Sequence, residues 1–240
     1  MHWRVPPIWE GGEVWILGGG PSVTKQFGIP DEIVNDVKSG KLPPSAYSPY
    51  MEGIHKKHVI GVNVSFLIGT WIDVCFFGDG KFFTQYRIEL AQWPGLKVTC
   101  NAGSTKIPWV KYLARDTTHA LGISSKPEAV SWNHNSGSAA VSMAANAGAK
   151  RIILVGFDMS LNTTGSKHWH QLYKPTLAPN DVRHLRKQGI RYQVTRPFQR
   201  HLQGFPQMLK DAQARGIEII NACPESAITV FPKCNVKDLL

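Results

Sequence analysis

No run of about 18 apolar residues occurs in the chain, so nothing in it reads as a bilayer span. The opening segment MHWRVPPIWEGG lacks an apolar h-region followed by a small-residue cleavage site, which leads us to expect a cytoplasmic protein. Cysteine is sparse. The four, at 75, 100, 223 and 234, include no Cys-x-x-Cys pair, which argues against a zinc ribbon and against a disulfide framework. Cys75 stands in the apolar run Val74-Cys75-Phe76-Phe77 and reads as a small core residue. Two common phosphate-binding signatures are missing as well. Gly18-Gly19-Gly20-Pro21-Ser22-Val23 fails Gly-x-Gly-x-x-Gly because Val23 takes the last glycine's place, and no Gly-Lys-Ser/Thr of a Walker A loop occurs. Acidic residues are in short supply, 17 Asp+Glu against 27 Lys+Arg. The resulting charge of +10 favours anionic partners such as nucleotides, phosphorylated sugars or nucleic acid.

What is present points to an α/β fold. Apolar, β-branched or aromatic runs at 14–17, 74–77 and 152–155 read as buried strands, each ending at glycine. Weaker strand signals lie at 58–63, 96–100 and 217–220. Helical patterns cover 31–39, 82–92, 138–147 and 195–215, with Pro206 expected to kink or restart the last. Strands alternating with helices predict a Rossmann-like, mostly parallel sheet with helices on both faces, and ligands beyond the strand carboxyl ends. Residues 41–58 form a Pro/Ser/Tyr-rich connection, and 161–190 form a long polar stretch holding His168, Trp169, His170 and Tyr173. Loops of that length are usually lids or binding loops, so 159–194 is the expected lid or acceptor segment. Without repeats or a compositional break, residues 1–240 read as one nucleotide-binding unit.

Four segments carry chemistry. The strand running into Gly18, Gly19 and Gly20 lets backbone approach a phosphate or ribose with no Cβ in the way, and Pro21-Ser22 opens the next turn. Asn63 and Asp79 follow strands, where amide and carboxylate groups read a base or ribose or simply bond the local backbone. Asn135 or Ser136 is a natural N-cap for the Ala-rich helix that follows, and Ser136-Gly137 present free N–H groups suited to an anion. Asp158 ends the next strand. In Gly165-Ser166-Lys167-His168-Trp169-His170, an extended His-x-His places both imidazoles on one side. They serve there as a general base, or as metal ligands if Asp158 or His184 joins them.

The order of these segments is itself informative. Gly-Gly-Gly-Pro-Ser, Asn63, Asn135-Ser136-Gly137, Val155-Gly156-Phe157-Asp158-Met159 and then His168-Trp169-His170 resembles the superfamily of Campylobacter-type bacterial sialyltransferases. That group also takes in motility accessory factor domains, archaeal 6-hydroxymethylpterin diphosphokinase and phage-type members; the last share the Asn-Ser-Gly, Gly-Phe-Asp-Met and His-Trp-His segments. The ending Ile219-Ile220-Asn221-Ala222-Cys223-Pro224-Glu225-Ser226 is similar to the closing strand and Pro-x-Ser turn of those domains. The resemblance implies a glycosyltransferase that takes a nucleotide-sugar donor and a hydroxyl acceptor, with no essential metal and inverting displacement. It implies that Gly18, Gly20, Pro21, Ser22, Asn63, Ser136 and Gly137 bind the nucleotide and that His168 or His170 is the base. The tyrosines that meet the leaving phosphate in sialyltransferases have no counterpart in 160–167, which brings in Lys167 for that charge. Gly78-Asp79-Gly80 replaces an Asn-Pro-type segment and leaves the donor base open.

Two alternatives stand beside this reading. One is Mg²⁺-dependent diphosphoryl transfer from ATP, with Asp79 or Asp158 on the metal. The other is a non-catalytic nucleotide- or nucleic-acid-binding phage protein, favoured by the charge. A hybrid, a transferase acting on modified DNA, joins the charge to the site. The oligomeric state has no sequence signal.

Overall fold

The computed structural model describes residues 3–161, 165–172 and 182–240. In chain order its strands are β1 (Glu13–Leu17), β2 (His58–Val62), β3 (Val74–Phe77), β4 (Leu96–Thr99), β5 (Lys111–Tyr112), β6 (Ala114–Arg115), β7 (Ala129–Val130), β8 (Arg151–Val155), β9 (Val182–Lys187), β10 (Ile190–Thr195) and β11 (Glu218–Asn221). The helices are α1 (Ser22–Gln26), α2 (Asp31–Ser39), α3 (Gly80–Gln92), α4 (Ser136–Asn146), α5 (Arg196–His201) and α6 (Phe205–Ala214). Seven strands form one parallel sheet in the order β11-β8-β1-β2-β3-β4-β5. The fold is a Rossmann-like α/β sheet.

The strand residues explain the layering. Ile16, Ile60, Phe76 and Leu154 face one apolar cluster with α4 and α6, while Trp15, Val59, Cys75, Phe77 and Ile153 face a second with α2 and α3. Both faces of the central strands are therefore covered, which is why they read as continuous apolar runs rather than alternating ones. Each such aliphatic side chain taken from water contributes roughly 1.5–3 kcal/mol. Ala139, Ala140, Ala144 and Ala147 let α4 sit close to the sheet, and all four are fully buried. Asn135 caps that helix, its Oδ1 accepting from the Ser138 N–H at 2.9 Å.

The helical stretch over 195–215 is two helices, Pro206 restarting it in the first turn of α6 as its position predicts. Two other readings of the sequence need correction. Residues 41–58 are not a plain connection: a 3₁₀ helix, Pro44–Ile54, buries Tyr47, Met51 and Ile54. The polar stretch 161–190 is not all loop either. Its end begins an antiparallel hairpin of β9 and β10, turning at Gln188-Gly189 with φ of 48° and 78°. That pair of left-handed residues is a type I′-like two-residue turn, which matches strand twist. Tyr173 lies outside the described residues, as do 162–164 and 173–181 generally. Within the described residues no helix is long and apolar enough to cross a membrane.

Candidate functional site

The first strand in the chain, β1, lies inside the sheet. From it the chain moves outward through β2, β3, β4 and β5, then returns to lay β8 on its other side. The connections leaving β1 and β8 thus run in opposite directions along the sheet, which makes the carboxyl edge at this switch point the place for a ligand. A cleft of about 570 Å³ occupies this position. Gly18, Gly19, Gly20, Asn63, Asp79, Asn135, Ser136, Gly137, Asp158, Lys167, His168 and His170 all line it. Pro21 and Ser22 do not: Pro21 is buried and Ser22 turns toward Asp158.

The glycine loop is held against the loop after β8. Gly18 N–H donates to Val155 O at 2.7 Å and Gly20 N–H to Gly156 O at 2.9 Å. A Cβ on Gly20 would lie 1.9 Å from Asp158 Oδ2 and 2.6 Å from Gly156 O, so a glycine is required here by loop-to-loop approach. Asp158 in turn accepts the Ser22 N–H at 2.9 Å and the Ser22 hydroxyl at 2.8 Å. Burial pushes its carboxyl up to about 6, against those two hydrogen bonds, which pull it down. Asp158 therefore ties the two loops together at the cleft wall.

The same glycine loop anchors the His-Trp-His segment. Trp169 is fully buried, donates its ring N–H to Gly18 O at 3.2 Å and its backbone N–H to Gly19 O at 3.0 Å. Tyr47 from the 3₁₀ helix meets the Trp169 ring edge-on, centroids 5.4 Å apart, and donates its hydroxyl to Trp169 O at 3.4 Å. With Trp169 pinned, His168 and His170 project to one side and stack, centroids 5.0 Å apart and planes within 8°. Their hydrogen bonds assign different tautomers. His168 Nδ1 faces Gly19 O at 3.3 Å, and a carbonyl only accepts, so Nδ1 carries the proton and Nε2 the lone pair. His170 Nδ1 accepts the Leu172 N–H at 3.2 Å, so its proton sits on Nε2. Burial lowers His168 to about 4, assisted by the Lys167 charge. His170 falls well below its ordinary value through burial and then the proximity of His168. Both rings are neutral near pH 7.

Opposite them lies the start of α4. Asn135 satisfies Ser138 N–H, and the N–H groups of Ser136 and Gly137 bond no described residue. Ser136 Oγ accepts from Gly78 N–H at 3.1 Å, which leaves its hydroxyl proton to donate. This is an oxyanion-binding arrangement with the helix dipole behind it. Asn63, after β2, has its Oδ1 buried with no partner among the described residues and a φ of 52°. His134 and Met159, also on the cleft, have φ of 59° and 51°. Left-handed backbone at three lining residues is strain concentrated at one site. Asp79 is the N-cap of α3, its Oδ1 accepting Lys81 N–H at 2.8 Å. Among the described residues no group of three His, Cys, Asp or Glu converges on one point; His184's side chain lies outside the described residues.

Several cleft residues had no sequence signal. Arg115, on the two-residue β6, donates to Cys100 O at 3.1 Å and Gly78 O at 2.9 Å and lies 3.8 Å from the Trp132 ring centroid. It ties the ends of β3 and β4 under an aromatic wall, and only long-range geometry reveals that. A Cβ on Gly78 would fall 2.2 Å from the Trp132 ring, which explains the glycine. His201, at the end of α5, lines the cleft beside Phe198; burial and then the nearby His134 and Arg200 lower it to about 4. Trp132 and His134 stand just before the Asn135 cap, where nothing in the sequence distinguishes them from turn residues.

No protein-family model matches the chain, and no curated protein matches it. Two solved structures of the sialyltransferase CstII from Campylobacter jejuni are similar. The one in complex with a substrate analogue, cytidine-5′-monophosphate, is 14% identical, with 98% of this chain and 86% of that chain covered and a TM-score of 0.49. The one in complex with CMP-3FNeuAc is 14% identical, with 93% and 85% covered and a TM-score of 0.45.

Proposed function

We propose that the chain is a glycosyltransferase that moves a sugar from a nucleotide donor to a hydroxyl acceptor, with His168 as general base. The observation that carries this reading is the His168 ring. It is neutral, oriented through Nδ1 by Gly19 O, and lines the same cleft as the α4 start and the glycine loop. In the reaction Nε2 takes the acceptor's hydroxyl proton as that oxygen bonds the anomeric carbon. The bond from that carbon to the phosphate oxygen breaks, and its electron pair leaves with the nucleotide. In this reading the N–H groups of Ser136 and Gly137, the Ser136 hydroxyl and Lys167, which line the same cleft, meet the growing negative charge. His170, a donor at Nε2 in its neutral form, is the second proton-bearing group at the cleft. Asn63 Oδ1, buried with no partner among the described residues, is an acceptor for a ribose hydroxyl or a base amino group.

Single displacement fits the carboxylates. Asp158 spends both oxygens on Ser22, and Asp79 caps a helix, so neither is posed as a nucleophile. The test is release of nucleotide from a panel of CMP-, UDP- and GDP-sugars by the wild-type chain and by His168→Asn. Turnover lost in the variant, with nucleotide binding kept, is expected; equal turnover in both overturns the assignment.

A further inference from the structure

A second cavity, of about 650 Å³, opens beside the cleft and shares Trp132, His134 and His201 with it. The remainder of its wall comes from α5 and the residues just after it, with Arg196, Gln199 and Arg200 the main polar groups. No acidic side chain lines it among the described residues. Arg196 and Arg200 are exposed and one helical turn apart, which puts two guanidinium groups on the same side of α5. Neither has a carboxylate within ion-pair distance among the described residues. Like charges at this spacing repel each other unless an anion lies between them. Arg200 is further oriented by His134, whose Nδ1 accepts from its Nη2 at 3.3 Å, so one arm of the pair is tied to the wall common to both cavities.

We infer that this groove is the acceptor subsite and that the acceptor carries a phosphate ester, seated on Arg196 and Arg200, with its hydroxyl reaching the cleft past His134 and His201. The inference rests on the glycosyltransferase reading for the word acceptor, whereas the phosphate site itself is read directly by binding. Arginine is the residue suited to this task, since its planar fork donates two parallel hydrogen bonds to phosphate oxygens. Gln199 and Gln203, which line the same groove, add neutral donors without opposing charge. A phosphate ester here has two sources, a free sugar phosphate or a nucleic-acid strand, and Trp132 offers either one an aromatic wall.

The test measures binding of two probes, glucose 6-phosphate by calorimetry and a fluorescein-labelled short oligothymidylate by anisotropy, at 150 mM salt. Three proteins are compared: the wild type, Arg196→Gln/Arg200→Gln, and the charge-matched Lys56→Gln/Lys237→Gln, whose exposed lysines line neither cavity. The groove variant is expected to weaken the better-bound probe about tenfold or more, while the control variant stays near wild type. Whichever probe binds more tightly names the source. Thermal stabilisation by whichever of CMP, UDP and GDP stabilises the wild type, measured on all three proteins, reports that the groove variant is folded and its donor cleft intact. Absence of binding by both probes, an undiminished affinity in the groove variant, or an equal loss in the control overturns the inference. Failure of all three nucleotides to stabilise the wild type counts against the glycosyltransferase reading and leaves the phosphate result readable.

Discussion

Ser22 donates its backbone N–H and its hydroxyl to the two oxygens of Asp158, 136 residues further along the chain. This pair joins the loops after β1 and β8, the walls of the cleft. Its carboxyl, raised to about 6 by burial, holds a proton in the folded state over a range where the unfolded chain has lost it. The sign follows. Stability from this group is full below about pH 4 and declines as pH rises through 4 to 6, by about 2–3 kcal/mol, and is flat above. Asp158→Asn cannot titrate, so the stability of wild type minus variant should fall between about pH 4 and 6 in denaturant melts and stay level above. A difference independent of pH would contradict the burial argument.

His168 and His170 should separate in kinetics. His168→Asn removes the basic nitrogen and is expected to lower kcat by about 10²–10⁴-fold, whereas His170→Asn keeps an N–H donor and should cost far less. Because burial brings His168 to about 4, the base is already deprotonated at mildly acid pH. The acid limb of kcat/KM is therefore expected well below 6.5, with activity level down to about pH 5. An acid limb centred near 6.5, or equal losses in the two variants, would reassign the base.

Two neighbouring glycines should respond differently to alanine. At Gly20 the new methyl meets Asp158 and the Gly156 carbonyl at 1.9 and 2.6 Å, so the loops must part; a loss of about 1–3 kcal/mol or more is expected. At Gly19 it meets His168 Nδ1 at 3.1 Å, a contact the imidazole relieves by a small shift. Gly19→Ala should thus melt near wild type yet turn over more slowly. Equal thermal losses for the two would show that neither contact is as drawn.

Asn63 stores a cost in the free protein: a buried acceptor with no partner among the described residues, and a left-handed backbone. Asn63→Gly removes both. Its melting temperature is expected to equal or exceed that of wild type, while affinity for nucleotide falls about tenfold. A marked drop in stability would mean the side chain supports the fold rather than the ligand.

Legibility in the sequence followed the reach of the interactions. The spans of α2 and β3 were visible because their signals are local, a polar first turn ending at Gly40 and a four-residue apolar run. The β9–β10 hairpin was hidden because charged residues such as Arg186 and Lys187 mask its alternation, although Gln188-Gly189 marks the turn. The 3₁₀ helix carrying Tyr47 was obscured by three prolines. Within the site, the glycine loop and the α4 cap declared themselves, since backbone geometry demands particular residue types there. Arg115 and His201 did not, because their place depends on which strand ends and helices the topology brings together. The sequence also suggested Ser22 for ligand contact, whereas its hydroxyl is used by Asp158.

The central claim, a nucleotide held at the β1/β8 crevice for sugar transfer without a metal, is tested most directly by thermal shift. CMP, CDP, UDP, GDP, ADP and ATP are each added with and without Mg²⁺, since a ligand that binds only the folded state raises Tm by mass action. Stabilisation by a pyrimidine nucleotide in the absence of Mg²⁺, lost in Ser136→Ala/Asn63→Ala, is the expected result. Stabilisation by ATP with Mg²⁺ alone, or by none of the six, would contradict it.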